Sequence, residues 1–231
     1  MNSHRPRRSL FLAIALALLA PLSAQEDEGI YGAIDEYNQY ISPGGFFTMP
    51  IPVLPELGGV VHDTPSVVTF RDMYGTHVFV GRVAIEEPLR TEFVSRPRKE
   101  FLAGAFATHI LPQYSRLYEG TTTSVAKYLS TVHDGAVFVS ALIPNGTSFA
   151  DRVVLLEGEA MPAAKRGFLV FIKNDELVII STELYERVLL RDTFKKTPEE
   201  EDAILQRRLL ALANSITFAA RPKPAPAPTA P

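Results

Sequence analysis

Cysteine and tryptophan are both missing from this 231-residue chain. Without cysteine there is no disulfide, no thiolate nucleophile and no cysteine-ligated zinc or iron–sulfur site. The same absence removes the lipidated cysteine that anchors a bacterial lipoprotein. No Gly-x-x-x-x-Gly-Lys phosphate loop and no Gly-x-Gly-x-x-Gly fingerprint occurs, so no cofactor is implied. None of Ser130, Ser140 and Ser148 stands in a Gly-x-Ser-x-Gly elbow. The sequence selects no catalytic residue. An excess of positive charge is lacking too. The formal net charge is −3, which argues against non-specific nucleic-acid binding.

What is present begins with a processing segment. Residues 1–24 carry Arg5, Arg7 and Arg8, then an apolar stretch over 10–20, then Pro21-Leu22-Ser23-Ala24 ahead of Gln25. That is the layout of a signal peptide. The apolar stretch is short for a membrane span, which needs roughly 20 residues. The expectation is therefore a cleaved leader and a periplasmic or secreted protein. Arg7-Arg8-Ser9-Leu10-Phe11 also fits a loose twin-arginine pattern, although the Leu and Ala content suits the general secretion route better. Cleavage removes three arginines and no acid, which takes the net charge from −3 to −6. No stable membrane insertion and no attraction to anionic lipid is expected after that. A secreted chain without disulfides fits a bacterial envelope, where a full-size core carries stability unaided.

The remainder divides into a lead-in over 25–44, one domain over 45–220 and a Pro/Ala-rich tail over 221–231. Tyr31, Ile34, Tyr37 and Ile41 recur at helical spacing, which predicts a short helix over 30–41. Phe47, Met49 and Ile51 alternate as in a strand, and Pro50 and Pro52 place it at an edge or end it early. Two β-branched and aromatic runs within 67–85 flank Asp72-Met73-Tyr74-Gly75 and read as a β-hairpin. A helix is expected over 91–111 and stopped by Pro112. The basic residues Arg90, Arg96, Arg98 and Lys99 near its start read as a solvated face. Strands are expected over 125–132, 136–143, 153–156, 167–173 and 177–182, and a short helix or strand extension over 183–194. Thr197, Pro198 and Glu200 form a capping box ahead of Leu205, Leu209, Leu212, Ala213 and Ile216, a stripe that must bury itself. The tail alternates Pro with small residues and cannot build a core.

The order of strand, hairpin, helix, meander and long closing helix is similar to that of the PsbP-like superfamily. Gly45-Phe46-Phe47-Thr48-Met49-Pro50 and Val68-Thr69-Phe70-Arg71-Asp72-Met73-Tyr74-Gly75 carry the resemblance. It covers roughly residues 40–218 as an order of elements. It implies an α+β fold, an antiparallel β-sheet covered by helices in an α/β/α sandwich. The superfamily has no general catalytic motif, so none is carried over.

Two His-Asp pairs, His62-Asp63 and His133-Asp134, lie in expected turns. Brought together, they could hold a divalent metal with two imidazoles and two carboxylates. The alternative is that each Asp makes turn hydrogen bonds beside a partly exposed His. His77 reads as a cross-strand partner and His109 as a helix-end residue. Tyr31, Tyr37, Tyr40, Phe46 and Phe47 read mostly as packing. Two or three left exposed would mark a partner surface. Three functions stay open. One is a non-enzymatic exported accessory or binding module with a protein partner in the cell envelope. The second is a small metal-dependent or hydrolytic periplasmic enzyme. The third is an envelope protein tethered or spaced by its tail.

Overall fold

The computed structural model describes residues 30–220. The leader over 1–24 and the tail over 221–231 lie outside the described residues. The chain opens into a small antiparallel sheet of β1 (Ala33–Ile34), β2 (Gln39–Ile41) and β3 (Phe47–Pro50), completed by β11 (Thr217–Phe218) beside β3. The helix expected over 30–41 is therefore absent. Asp35 explains the difference. Its carboxylate accepts the backbone N–H groups of Tyr37 and Gln39, and Asn38 follows with a φ of 58°. That local turn reverses the chain and pairs Ala33 with Ile41 as a hairpin.

The main sheet has seven antiparallel strands. They are β4 (Val60–Thr64), β5 (Val67–Arg71), β6 (His77–Ala84), β7 (Thr122–Leu129), β8 (Ala136–Ile143), β9 (Ala164–Lys173) and β10 (Glu176–Glu183), in spatial order β4-β5-β6-β10-β9-β8-β7. The β5–β6 hairpin forms as expected, with Asp72 Oδ1 accepting the backbone N–H groups of Tyr74, Gly75 and Thr76. Hairpin β9–β10 turns through Asn174 and Asp175, both at positive φ, as a type I′ turn requires. The strand expected over 153–156 does not form. β8 and β9 pair directly, Ala136 with Phe171 through Ile143 with Ala164, and leave no vacancy for it.

Alternation along the strands supplies two apolar faces. Phe79, Val139, Phe168 and Ile179 pack under the helical segments α1 (Leu89–Ser95), α2 (Arg98–Ala105) and α3 (Leu111–Leu117). The expected single helix is divided at Pro97. Pro112 does not stop it, because it sits in the first turn of α3, where its missing N–H is not needed. The turn ahead of it, Phe106–Ile110, widens into a π-helix. On the other face, Phe70, Phe138, Leu169, Phe171 and Ile180 meet the small sheet and the long helix α5 (Pro198–Ser215), which the four-residue α4 (Glu186–Leu189) precedes. The capping box holds in both directions, Glu200 N–H to Thr197 and Thr197 N–H to Glu200. Leu205, Leu209 and Ala213 are buried, whereas Leu212 is only half-buried. Gly167 lets α5 approach β9, since a Cβ there would stand 2.9 Å from Leu209 Cδ1. The result is an α+β architecture with helices on both faces of an antiparallel sheet.

Candidate functional site

At one end of the sheet the apolar rows give way to charge. Arg71 closes β5, His77 opens β6, Glu183 closes β10 and Arg166 lies near the start of β9. Arg71 pairs with His77 across the ladder, and Arg166 with Glu183. The loop over 144–163 folds onto this row. Glu183 Oε2 accepts Arg166 Nη2 at 2.8 Å and the Ser148 N–H at 2.9 Å, and its Oε1 accepts the Thr147 hydroxyl. His77 Nδ1 lies 3.3 Å from Arg166 Nη1 and 3.4 Å from Ser148 Oγ. A guanidinium can only donate, so Nδ1 accepts and the imidazole proton sits on Nε2.

Ser148, His77 and Glu183 superficially suggest a nucleophile, base and acid. Their roles differ. Glu183 holds Arg166, Thr147 and the Ser148 backbone rather than the imidazole. Burial first, then Arg166 and Arg71, hold His77 well below the ordinary imidazole range. A base so weakened cannot take a serine proton efficiently near neutrality. The cluster pins the loop to the sheet.

A second ionic group does the same for the helices. Lys165, buried on the opposite face, reaches Asp202 at 2.7 Å and Glu201 at 3.3 Å, and donates to the Pro198 carbonyl. Arg187 grips Glu201 with bonds of 2.7 and 2.9 Å, and Ser140 donates to Asp202. At this end the 144–163 loop is therefore fixed by buried, hydrogen-bonded charge, and the β5–β6 turn by the Asp72 carboxylate.

Their tips carry apolar side chains into solvent. Val154 is 80% exposed, Leu156 69%, Tyr74 66% and Met73 61%, with Leu54, Leu57 and Leu190 also exposed. The tips are connected. The Met73 N–H bonds the Leu57 carbonyl, and Arg191 bonds the Val154 carbonyl and Glu159. Two cavities lie near these loops. One, of about 590 Å³, lies between Ala163, Arg191, Phe194 and Lys195. The other, of about 360 Å³, lies between Val60, His62, Arg71, Met73, Asp151 and Arg152. Tyr31 and Tyr37 form a further exposed group on the β1–β2 hairpin, while Tyr40 and Phe47 are buried.

The four residues expected to share a metal are not brought together. His62 is on β4, an edge strand, while the ring of His133 stacks on Phe171 of β9 at 4.1 Å. Four strand spacings separate β4 from β9, about 19 Å. The faces differ as well. Val61 packs with the core that contains Phe171, so His62 points to the other side. Asp63 is occupied by the Tyr31 and Gly32 N–H groups and the Tyr40 hydroxyl. Asp134 and His133 occupy a turn at positive φ. His62 and His133 therefore lie on opposite faces, and Asp63, although on the same face as His133, is separated from it by the width of four strands. Among the described residues no group of three His, Asp or Glu is placed to hold a metal ion.

Sequence reasoning did not find His77, Arg166 and Glu183 as a unit. The available signal was Lys165-Arg166 entering an otherwise apolar strand, which demands buried partners on both faces.

No protein-family model and no curated protein matches the chain. Solved structures do resemble it. The solution structure of a cyanobacterial PsbP from Synechocystis is 14% identical, covers 87% of this chain and 100% of its own, and has a TM-score of 0.41. The Saccharomyces cerevisiae Ran-binding protein Mog1p is 12% identical, covers 82% of this chain and 96% of its own, and has a TM-score of 0.45. A structure from Bacteroides thetaiotaomicron is 10% identical, covers 79% of this chain and 48% of its own, and has a TM-score of 0.35. The chain's own architecture is a helix-covered antiparallel sandwich, and the solved structures that resemble it include a PsbP and a Mog1.

Proposed function

We propose that the chain is a non-enzymatic binding module exported to the bacterial cell envelope, and that a protein partner docks on its loop end. One observation carries this reading. Apolar side chains that a fold normally buries stand in solvent, Val154 and Leu156 on a loop whose base is locked by buried ion pairs and Met73 and Tyr74 on a turn held by the Asp72 carboxylate. Exposed apolar groups on a preorganised frame favour association, because little ordering is lost on docking. Export rests on the leader over 1–24. Among the described residues no helix is long and apolar enough to cross a membrane.

The hydrolytic alternative has one geometric support, the approach of Ser148 to His77. The depressed basicity of that imidazole argues against it.

The test is capture from the native envelope with the wild type and with Met73→Asp/Val154→Asp/Leu156→Asp. A protein retained by the wild type and lost by an equally stable variant supports the reading. Identical captured sets overturn it.

A further inference from the structure

The cavity of about 360 Å³ beside β4 is lined in part by Arg152, which none of the preceding roles uses. Its polar wall carries two guanidinium groups and two carboxylates. Arg71 and Arg152 line it together with His62, while Val60 and Met73 form an apolar wall. Arg152 keeps its Nη1 buried with no hydrogen-bond partner. An unpaired buried guanidinium nitrogen is costly, and an anion is the partner that relieves it.

The two carboxylates, Asp72 and Asp151, already have partners. Asp72 Oδ1 is taken by the backbone N–H groups of Tyr74, Gly75 and Thr76. Asp151 is largely exposed and reaches Arg71 only at 3.5 Å. His62 lies in the same lining. Burial first and then Arg71 hold it below its ordinary value, although Asp63 pulls the other way.

We propose that this cavity binds the carboxylate of a small amphipathic ligand, with Arg152 and Arg71 on the anion and Val60 and Met73 against its apolar body. The forked donors of arginine match a carboxylate in geometry. The size suits a short ligand, since small-molecule sites run from about 300 Å³ upward. Gly58 borders the cavity at a φ of 69°, and a Cβ there would meet Met73 at 2.7 Å. A side chain at that position would displace the apolar wall. The cavity shares Met73 with the proposed docking surface, but its anion-binding residues, Arg71 and Arg152, are not part of that surface, and the test below uses the purified protein without a partner.

The probe is hexanoate, with sulfate as an anion that lacks an apolar body. The readout is the NMR titration of the His62 ring Cε1–H in the purified protein. A bound carboxylate favours the imidazolium, so hexanoate should raise the His62 pKa. The expected rise is about half a pH unit, the effect of a unit charge about 6 Å away through water. His109 and His133 should not move, and sulfate at the same ionic strength should act more weakly. In Arg152→Gln the rise should be lost. No rise with hexanoate in the wild type overturns the proposal without recourse to any variant. So does an equal or larger rise with sulfate, an equal rise at His109 and His133, or a rise that persists in Arg152→Gln.

Discussion

Arg166 and Glu183 face each other across β9 and β10, with Nη2 2.8 Å from Oε2 and both side chains almost wholly buried. Glu183 also accepts from Thr147 and Ser148, so the pair joins two strands to the loop that crosses them. Breaking a buried pair leaves an uncompensated charge and costs about 3–5 kcal/mol. Arg166→Met and Glu183→Leu should each lower the free energy of urea unfolding by that amount. The double variant should cost less than the sum, because it leaves no orphaned charge. Strict additivity in a double-mutant cycle would contradict the coupling.

His77 makes stability depend on pH. Burial and two arginines hold its folded-state pKa well below the ordinary value of 6.5. The folded protein therefore binds fewer protons than the unfolded chain once the pH falls below 6.5. The stabilisation is fully present above that value and is lost as the pH drops from it toward the folded pKa. His62, His109 and His133 are also held low, with burial the leading cause, and add to the same slope. Each titrating group contributes up to about 1.4 kcal/mol per pH unit. Denaturation between pH 7 and 5 should show this decline, and His77→Gln should flatten it. An unchanged slope in the variant would remove His77 from the account.

The crossing of α5 over β9 depends on Gly167 having no side chain. A Cβ would stand 2.9 Å from Leu209 Cδ1 and 3.1 Å from Leu205 Cβ. Gly167→Ala should cost about 1–3 kcal/mol, the range for overpacking. Leu209→Ala should cost about 2–5 kcal/mol, because Leu209 is wholly buried. Leu212→Ala, at a half-buried position of the same helix, should cost less. Chemical denaturation of the three variants gives the ranking, and a costlier Leu212→Ala would reverse the assigned face.

The start of α5 offers a smaller effect. Thr197 accepts the Glu200 N–H and its own N–H bonds the Glu200 carboxylate. Thr197→Ala should cost about 1 kcal/mol. Thermal melting that matches the wild type would show that the cap adds nothing to a helix already held by Lys165.

Elements whose signals were local could be read from the sequence. The capping box at Thr197, the Asp72 turn and the Asn174-Asp175 turn are set by residues a few positions apart. Misreadings came where a remote or competing contact decided. Tyr31, Ile34 and Tyr37 share helical spacing, but Asp35 bends the chain first. Residues 153–156 have strand composition, but β8 and β9 occupy each other's edges. That misreading bears on function, because apolar residues without a place in the sheet became the exposed loop. The polar row of Arg71, His77, Glu183 and Arg166 needed the register of four strands, which no local pattern encodes.

Site-resolved photo-crosslinking in the native envelope tests the docking surface most directly. A crosslinking residue is placed at Tyr74 or Leu156 on the loop end, or at Lys127 on the far edge strand β7, which is also exposed. A discrete protein adduct from Tyr74 and Leu156, with none from Lys127, is the expected result. No adduct from the loop positions, or the same adduct from all three, would contradict a partner docked on this end.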